Sequence, residues 1–317
     1  MSVFLLTDAA MDRHTTPGHP ERPGRRAAVA DGVRDAAGDD LTEPVVEPID
    51  RVSLEAIHDP AYLALVEEAE TRGGGWLDAD TYIAEGSFQA ARLAAGATLQ
   101  AAIAAAVGDT ELAFAVVRPP GHHASRSGGS GFCLLNNLAI AVAGLRARGL
   151  AERIAVVDWD VHHGDGTQAI FDADASLCYA STHQSPLYPG SGERAQSGTG
   201  GGRGTKHNRP LPPNSGDRAF TDAWRELVPI IEAFGPDSIL VSAGYDAHVD
   251  DPLANLEVTE EGFETIAELI GGLSGRLGHP GVALTLEGGY DLDALRASGA
   301  ATVRGILAGR AAAGGRL

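Results

Sequence analysis

A chain of 317 residues with 44% hydrophobic content is long enough to bury a large core, and because no linker divides it we expect one domain over residues 1–317. Its net charge of −19 and its single lysine, Lys206, argue against binding to nucleic acid. The sequence shows no signal-type pattern, and its longest apolar segment, 93–107, is rich in alanine. That segment predicts a buried helix and argues against a membrane partner.

The two cysteines, Cys133 and Cys178, form neither a CxxC motif nor a disulfide framework. They predict ordinary packing in a reducing compartment, and we expect a cytoplasmic protein. The composition leaves the oligomeric state open between a monomer and a homo-oligomer. The acidity has two interpretations, which are selection for solubility and the steering of a cationic substrate.

Short apolar runs alternate with longer helical patterns along the chain. Strands are predicted at 3–6, 112–117, 154–157, 177–180, 238–242 and 282–286, and helices at 87–107, 138–147, 217–234, 259–277 and 292–312. This alternation is typical of a parallel sheet covered by helices on both faces. The segment 188–215 is rich in Gly and Pro and predicts a long loop, either part of a pocket or partly mobile, with flexibility favoured at 198–204.

The densest chemistry follows the third predicted strand, in the run Asp-Trp-Asp-Val-His-His-Gly-Asp-Gly at 158–166. Side chains alternate along an extended chain, so Asp158, Asp160 and His162 are predicted to share one face. A turn with a helix cap is the alternative, because Gly-Asp-Gly suits a turn. Two carboxylates and an imidazole suit a divalent metal ion, and we favour that interpretation.

Other polar clusters also follow predicted strands. His122 and His123 follow the second strand after a rigid Pro-Pro-Gly turn, Asp246 follows the fifth strand, and Tyr290 follows the sixth. Open α/β sheets bind ligands at the carboxyl edge, so these segments are predicted to converge on one pocket. Asp246 alone would suggest a helix cap, but together with Asp160 and His162 it completes a set of three metal ligands. Three protein ligands leave room for water and substrate, as in catalytic zinc sites.

Taken together, these motifs resemble the histone deacetylase family. The resemblance extends from His19 to Tyr290. Four motifs carry it and occur in this order: Arg-Pro-Pro-Gly-His-His, Asp-Trp-Asp-Val-His-His-Gly-Asp-Gly-Thr-Gln, Ser-Ala-Gly-Tyr-Asp-Ala-His and Glu-Gly-Gly-Tyr. The second-class branch matches best, with bacterial and archaeal relatives such as histone deacetylase-like amidohydrolases, acetylpolyamine amidohydrolases and acetoin utilization proteins. The family implies a three-layer α/β/α arginase/deacetylase-like fold with a central, mostly parallel sheet of about eight strands.

The resemblance implies a zinc-dependent amidohydrolase that removes acetyl or other short acyl groups from amines. Asp160, His162 and Asp246 match the family's zinc ligands, and iron(II) or cobalt(II) are the alternative metals. The ion would polarise the amide carbonyl and activate a water molecule. A ureohydrolase with two manganese ions and a non-catalytic ligand-binding protein are the competing functions.

The same resemblance assigns catalytic roles to the remaining polar residues. His123, oriented by Asp165, would act as general base and then as general acid. His122, paired with Asp158, would tune the charge nearby, since carboxylate partners fix imidazole tautomers beside a metal. Tyr290 would donate its hydroxyl hydrogen to the developing oxyanion.

Substrate-binding residues are implied at the walls, the rim and an internal cavity. They are Phe132, Tyr188, Asp80, Gly131, Gly288, Leu253 and Arg25. Core packing is the alternative for Tyr188, and a surface charge is the alternative for Arg25. Leu253 stands where polyamine-selective eukaryotic members carry a glutamate, which favours acetyl-lysine over acetylated polyamines and other small acylamines, although bacterial polyamine enzymes use other loops.

Relatives also hold a structural potassium ion beside the zinc site. The matching positions in this chain are Asp158, Asp160, His162, Ser181 and Thr182. A second potassium site, built mostly from backbone carbonyls around Phe171, Asp174 and Leu177, is implied as well.

Overall fold

A computed structural model describes residues 2–314 and shows how strands and helices alternate along the chain. The strands are β1 Val3–Leu6, β2 Leu41–Thr42, β3 Gly75–Trp76, β4 Tyr82–Ile83, β5 Leu112–Ala115, β6 Ile154–Asp158, β7 Leu177–Gln184, β8 Lys206–Leu211, β9 Ser238–Ala243 and β10 Val282–Leu286. The α-helices are α1 Pro23–Ala37, α2 Arg51–Glu55, α3 Pro60–Thr71, α4 Ser87–Val107, α5 Asn137–Ala147, α6 Asp165–Ile170, α7 Asp217–Phe234, α8 Glu260–Arg276 and α9 Leu292–Gly314.

Eight of the strands form one sheet in the order β2-β1-β5-β10-β9-β6-β7-β8, and every neighbouring pair is parallel. Strands β3 and β4 form a separate antiparallel pair. Helices α1, α7, α8 and α9 share one hydrophobic core with the sheet, and α4 and α5 share the other. The predicted three-layer α/β/α fold with a parallel sheet of eight strands is confirmed.

The buried strands are apolar on both faces, as a sheet between two helical layers requires. In β6, Ala155 and Val157 pack into the core with α7 and α8, whereas Ile154 and Val156 pack into the core with α4 and α5. Because all eight strands run in the same direction, their carboxyl ends lie at one edge of the sheet. The polar segments that follow β5, β6, β9 and β10 therefore meet there.

The segment 188–215 contains a strand that its composition does not predict. Strand β8 pairs in parallel with β7 and forms one edge of the sheet. Lys206, Asn208 and Leu211 are buried, but the polar side chains at most of its positions hide the alternation that would identify a strand. The glycine-rich stretch 198–204 includes a short 3-10 turn, Gly200–Gly202, that packs against 172–174.

Helix α4, predicted as buried, is also the one helix within residues 2–314 that is long and apolar enough to cross a membrane. Some 72% of its most apolar window is buried inside the protein, as in the core helix of a globular domain. Cys133 and Cys178 are both buried and unpaired, in agreement with ordinary packing.

Candidate active site

A cavity of about 260 Å³ opens where the loops after β5, β6, β9 and β10 meet. Twelve of the predicted site residues line it, namely Asp80, His122, His123, Gly131, Phe132, Asp160, His162, Tyr188, Asp246, Leu253, Gly288 and Tyr290. Pro120 and Leu187 complete the lining and are not among the predicted residues, although each is close in sequence to one of them. The other five predicted residues, Asp158, Asp165, Arg25, Ser181 and Thr182, lie outside this lining.

One group of three potential metal ligands occurs among the described residues, and it consists of Asp160, His162 and Asp246. Each offers one donor atom, and the three donor atoms lie within 4.8 Å of one another. Nδ1 of His162 lies 3.1 Å from a carboxylate oxygen of Asp160 and 3.1 Å from one of Asp246. Ligand atoms of a tetrahedral zinc site, with bonds of about 2.0–2.1 Å, are separated by about 3.3 Å. Two carboxylates and one imidazole therefore fit a divalent ion in both chemistry and spacing.

The charges of this triad favour a cation at its centre. Burial opposes the charged form of His162, but the carboxylates of Asp160 and Asp246 raise the pKa of its imidazole to about 10. A metal ion that binds here takes the place of that proton. The neighbouring residue Gly288 leaves space for the ligands, because a Cβ at this position would overlap the carboxylates of both aspartates. Its backbone N–H donates to Asp160 at 2.7 Å.

Asp158 is not a member of the grouped metal ligands. Its carboxylate accepts a hydrogen bond from the Tyr179 hydroxyl at 2.9 Å and lies 3.2 Å from Nδ1 of His122. The same carboxylate group also accepts from the backbone N–H of Asp160 at 3.2 Å. Asp158 is thus a partner of His122, as the resemblance implies.

The two adjacent histidines differ in their preferred protonation. Burial opposes a charge on His122, but the carboxylates of Asp160 and Asp158 hold its pKa well above the ordinary value. Burial and the charge of His122 lower the pKa of His123 to about 4, although Nδ1 of His123 lies 2.7 Å from Asp165. A neutral His123 beside a cationic His122 matches the pattern of neighbouring groups with separated pKa values that marks acid and base roles.

Aromatic side chains form the walls of the cavity. The ring of Phe132 meets that of Tyr290 edge-on, with 5.7 Å between the ring centres, and Tyr188 meets His123 edge-on at 5.1 Å. Tyr188 is 44% exposed and is therefore not a core side chain. Burial raises the pKa of Tyr290 well above its ordinary value, so its hydroxyl keeps the hydrogen that it could donate.

Glu287 is a buried carboxylate that supports the site and is absent from the predicted set. It accepts hydrogen bonds from the backbone N–H groups of Gly121 at 2.6 Å and His122 at 3.1 Å, and from the Ser242 hydroxyl at 3.1 Å. These bonds join the histidine loop to the end of β10. The sequence signal is an acidic residue directly after a buried strand, the same signal that identifies Asp158.

Arg25 lies behind the cavity and is fully buried, which excludes the surface-charge interpretation. Its guanidinium donates to the backbone carbonyls of Glu287 and Gly289, and to the Glu21 carboxylate at 2.9 Å. The same group lies 4.8 Å from the centre of the Tyr290 ring. Arg25 therefore fixes the backbone segment that carries Tyr290.

Glu21 connects Arg25 to a second buried arginine. Arg118 donates to both Glu21 carboxylate oxygens, at 2.6 and 2.7 Å. Burial opposes ionisation, but Arg118 and Arg25 together lower the pKa of Glu21 to about 2. Because this native value lies below the unfolded value of about 4.3, the carboxylate contributes about 3 kcal/mol of stability above pH 4.3. That contribution is lost as the pH falls towards 2.

We expect the stability difference between the wild type and Glu21→Gln to shrink by roughly 2 kcal/mol between about pH 6 and about pH 3. Urea unfolding at both pH values measures it. Glu232→Gln is a matched control, because Glu232 also pairs with an arginine but is 40% exposed. That exposed pair should contribute less than about 1 kcal/mol. A difference between wild type and Glu21→Gln that stays constant with pH would contradict the expectation.

The first implied potassium site shares two residues with the triad, and its other residues lie on the neighbouring strands β6 and β7. Asp158 and Ser181 face each other across β6 and β7. Nε2 of His183 lies 2.9 Å from the carbonyl of Gly192 and must carry the hydrogen, so Nδ1 accepts from the Ser181 hydroxyl at 2.9 Å. The Ser181 oxygen thus keeps its lone pairs for a cation, and the donor set fits potassium.

The second implied potassium site does not fit. The carbonyls of Asp174 and Leu177 accept hydrogen bonds from the Lys206 ammonium at 3.1 and 2.8 Å. The carbonyl of Phe171 accepts from the backbone N–H of Asp174 at 2.9 Å. These acceptors are therefore already engaged by groups of the chain itself.

Comparison with known proteins agrees with this geometry. A model of the histone deacetylase domain matches residues 19–306. The chain is 41% identical over 296 residues to a probable deacetylase of Archaeoglobus fulgidus, covering 92% of this chain and 81% of the relative.

Two solved structures have the same fold. The HD domain of HDA15 has a TM-score of 0.91 and 36% identity, covering 96% of this chain and 88% of that chain. The acetylpolyamine aminohydrolase of Burkholderia pseudomallei has a TM-score of 0.86 and 29% identity, covering 96% of this chain and 98% of that chain. The family resemblance of the motifs is thereby confirmed: the chain belongs to the histone deacetylase family and is a deacetylase.

Proposed function

We propose that this deacetylase is zinc-dependent and hydrolyses acyl-lysine side chains, with acetyl-lysine as the main substrate class. The observation that carries the proposal is the meeting, in one cavity, of the Asp160–His162–Asp246 triad with His123 and Tyr290. A ureohydrolase would need further carboxylates for a second metal ion, and the described cavity lining offers only Asp80 beyond the triad.

Each polar side chain has a chemical task in this proposal. A divalent ion held by the triad supplies Lewis acidity to a substrate carbonyl and to water. Nε2 of His123 takes a proton as the water oxygen bonds to the acyl carbon, while Asp165 holds Nδ1. Tyr290 donates its hydroxyl hydrogen to the carbonyl oxygen as negative charge develops there. His123 then delivers the proton to the amine nitrogen as the C–N bond breaks, which leaves a carboxylate and an amine.

The cavity walls support a lysine substrate. Phe132 and Tyr188 offer apolar ring surfaces to an aliphatic chain, and Leu253, 38% exposed, lies at the cavity lining without a charge. A polyamine substrate carries a further ammonium group along its chain, and a leucine cannot pair with it. We also propose a potassium ion at the oxygens of Asp158, Asp160, His162, Ser181 and Thr182, with a structural role.

Acetylated polyamines are the second candidate substrate. The acetylpolyamine aminohydrolase named above has the same fold, and the net charge of −19 would attract a polycation. Leu253→Glu provides the discriminating variant, because a carboxylate at this position would pair with an internal ammonium group. If the wild type prefers acetyl-lysine, this change should raise the ratio of the activity on an acetylpolyamine to the activity on an acetyl-lysine peptide by roughly tenfold.

The direct test measures amine release by zinc-loaded protein from acetyl-lysine peptides, acetylated polyamines and longer acyl-lysines in parallel. A chelator and a hydroxamate inhibitor serve as controls, and reloading with iron(II) or cobalt(II) compares the metals. Chelator-sensitive turnover that is fastest on acetyl-lysine supports the proposal. Faster turnover of acetylated polyamines would replace it with the second candidate, and no turnover with any substrate, despite one bound metal ion, would overturn both.

A further inference from the structure

Lys206 is the only lysine in the sequence, and at 1% exposure it is buried at the start of β8. Its ammonium donates to the carbonyl of Asp174 at 3.1 Å, the carbonyl of Leu177 at 2.8 Å and the Thr205 hydroxyl at 2.6 Å. A protonated lysine has three N–H donors, so each has an acceptor. Burial lowers the pKa of Lys206 to about 8, and the group therefore keeps its proton at neutral pH.

The acceptors of this ammonium are neutral oxygens. The carboxylate of Asp174 is engaged elsewhere, since it pairs with Arg146 at 2.7 Å and accepts from Ser176 at 2.8 Å. Backbone carbonyls are the groups that replace the hydration shell of potassium in proteins. An ammonium group resembles potassium in charge and size and is satisfied by the same oxygens. The carbonyls of Asp174 and Leu177 thus form a potential cation site, which we call the cradle. The Lys206 ammonium of the same chain occupies it.

We propose that the Lys206 ammonium is a built-in cation that takes the place of a second potassium ion. It joins β8 to the turn that precedes β7 through neutral oxygens, as a bound potassium ion would. A mobile cation at the same carbonyls would be repelled by the ammonium and would have to displace its hydrogen bonds. The chain therefore does not bind potassium at the carbonyls of Asp174 and Leu177.

Lys206→Met removes the charge and the donors but retains most of the side-chain length. The partly buried carbonyl of Asp174 and the buried carbonyl of Leu177 then lose a hydrogen-bond donor, which destabilises the fold. The same loss opens the cradle to a mobile cation, so potassium should restore part of the lost stability. Arg146→Met is the matched control, because Arg146 binds the Asp174 side chain in the same turn and does not contact the cradle carbonyls.

The first experiment compares thermal unfolding in potassium, sodium and choline chloride at equal ionic strength. Lys206→Met should melt below the wild type in choline, and potassium should raise its Tm by at least about 2 °C more than it raises that of the wild type. Arg146→Met should respond to potassium as the wild type does. Equal potassium responses of the wild type and Lys206→Met would overturn the proposal.

The second experiment begins with the wild type, so its first result does not depend on the folding of a variant. Crystals of the wild type soaked in rubidium should show no anomalous peak in contact with the carbonyl oxygens of Asp174 and Leu177. Such a peak would overturn the proposal directly. Crystals of Lys206→Met should show that peak, and its absence from well-ordered variant crystals would mean that these carbonyls are not a cation cradle.

Discussion

Replacing Asp160 with alanine is expected to remove the bound metal ion and the deacetylase activity together. Asp160 is one of three ligands, it is 1% exposed, and its carboxylate also accepts from the backbone N–H of Gly288. The Lewis acidity of a bound ion is worth several kcal/mol, and each 1.4 kcal/mol corresponds to a factor of ten in rate. We therefore expect kcat/KM to fall by at least about a thousandfold.

Metal content by mass spectrometry and turnover of the best substrate check this expectation on the same preparations. Circular dichroism must show that the variant is folded. Asp250→Ala is the control, because Asp250 lies close to the ligand Asp246 in the loop after β9 but has a side chain that is 72% exposed. It should retain metal and activity. A folded Asp160→Ala protein that still binds one ion with normal activity would remove the triad from the mechanism.

Replacing Tyr290 with phenylalanine should reduce turnover about 10²–10³-fold while the metal content stays unchanged. The substitution removes only the hydroxyl group. The ring contacts with Arg25 and Phe132 remain, as does the hydrogen bond of 2.7 Å from the backbone N–H to Asp251. A donor that acts on the developing oxyanion stabilises the transition state more than the bound substrate, so the loss should appear mainly in kcat.

Steady-state kinetics of Tyr290→Phe and of Tyr188→Phe provide the comparison. Tyr188 also lines the cavity, but our proposal gives it a wall surface and no proton donation. Its variant should stay within several-fold of the wild type. Full activity of Tyr290→Phe would rule out the oxyanion role.

The sequence predicts those parts of the site where chemistry follows a strand directly. The segments that carry His123, Asp160 and Asp246 each come after a buried apolar run, and parallel strands bring their ends to one edge. No geometry needs to be known beyond the direction of the strands. The fold class is predictable for the same reason, since the alternation of strands and helices is clear in the chain.

Features that depend on distant pairing are not predictable in this way. Glu21 and Arg118 are 97 positions apart, and their burial becomes understandable only when the two charges meet. Strand β8 escapes detection because the buried ammonium of Lys206 finds its oxygen partners in another segment, the turn before β7. Local patterns describe neighbours in the chain, whereas these residues are buried because of partners that folding supplies.

The burial of Lys206 also limits the acylation of this enzyme by reactive acyl donors. With its only lysine 1% exposed, the protein surface presents no side-chain amine for acylation. An enzyme that removes acyl groups from amines therefore displays no acylated lysine of its own that could compete with its substrates for the active site of another copy. Its surface cations are arginines, whose guanidinium groups stay charged and do not acylate readily. Amine-directed labels and cross-linkers should accordingly leave its folded side chains unmodified.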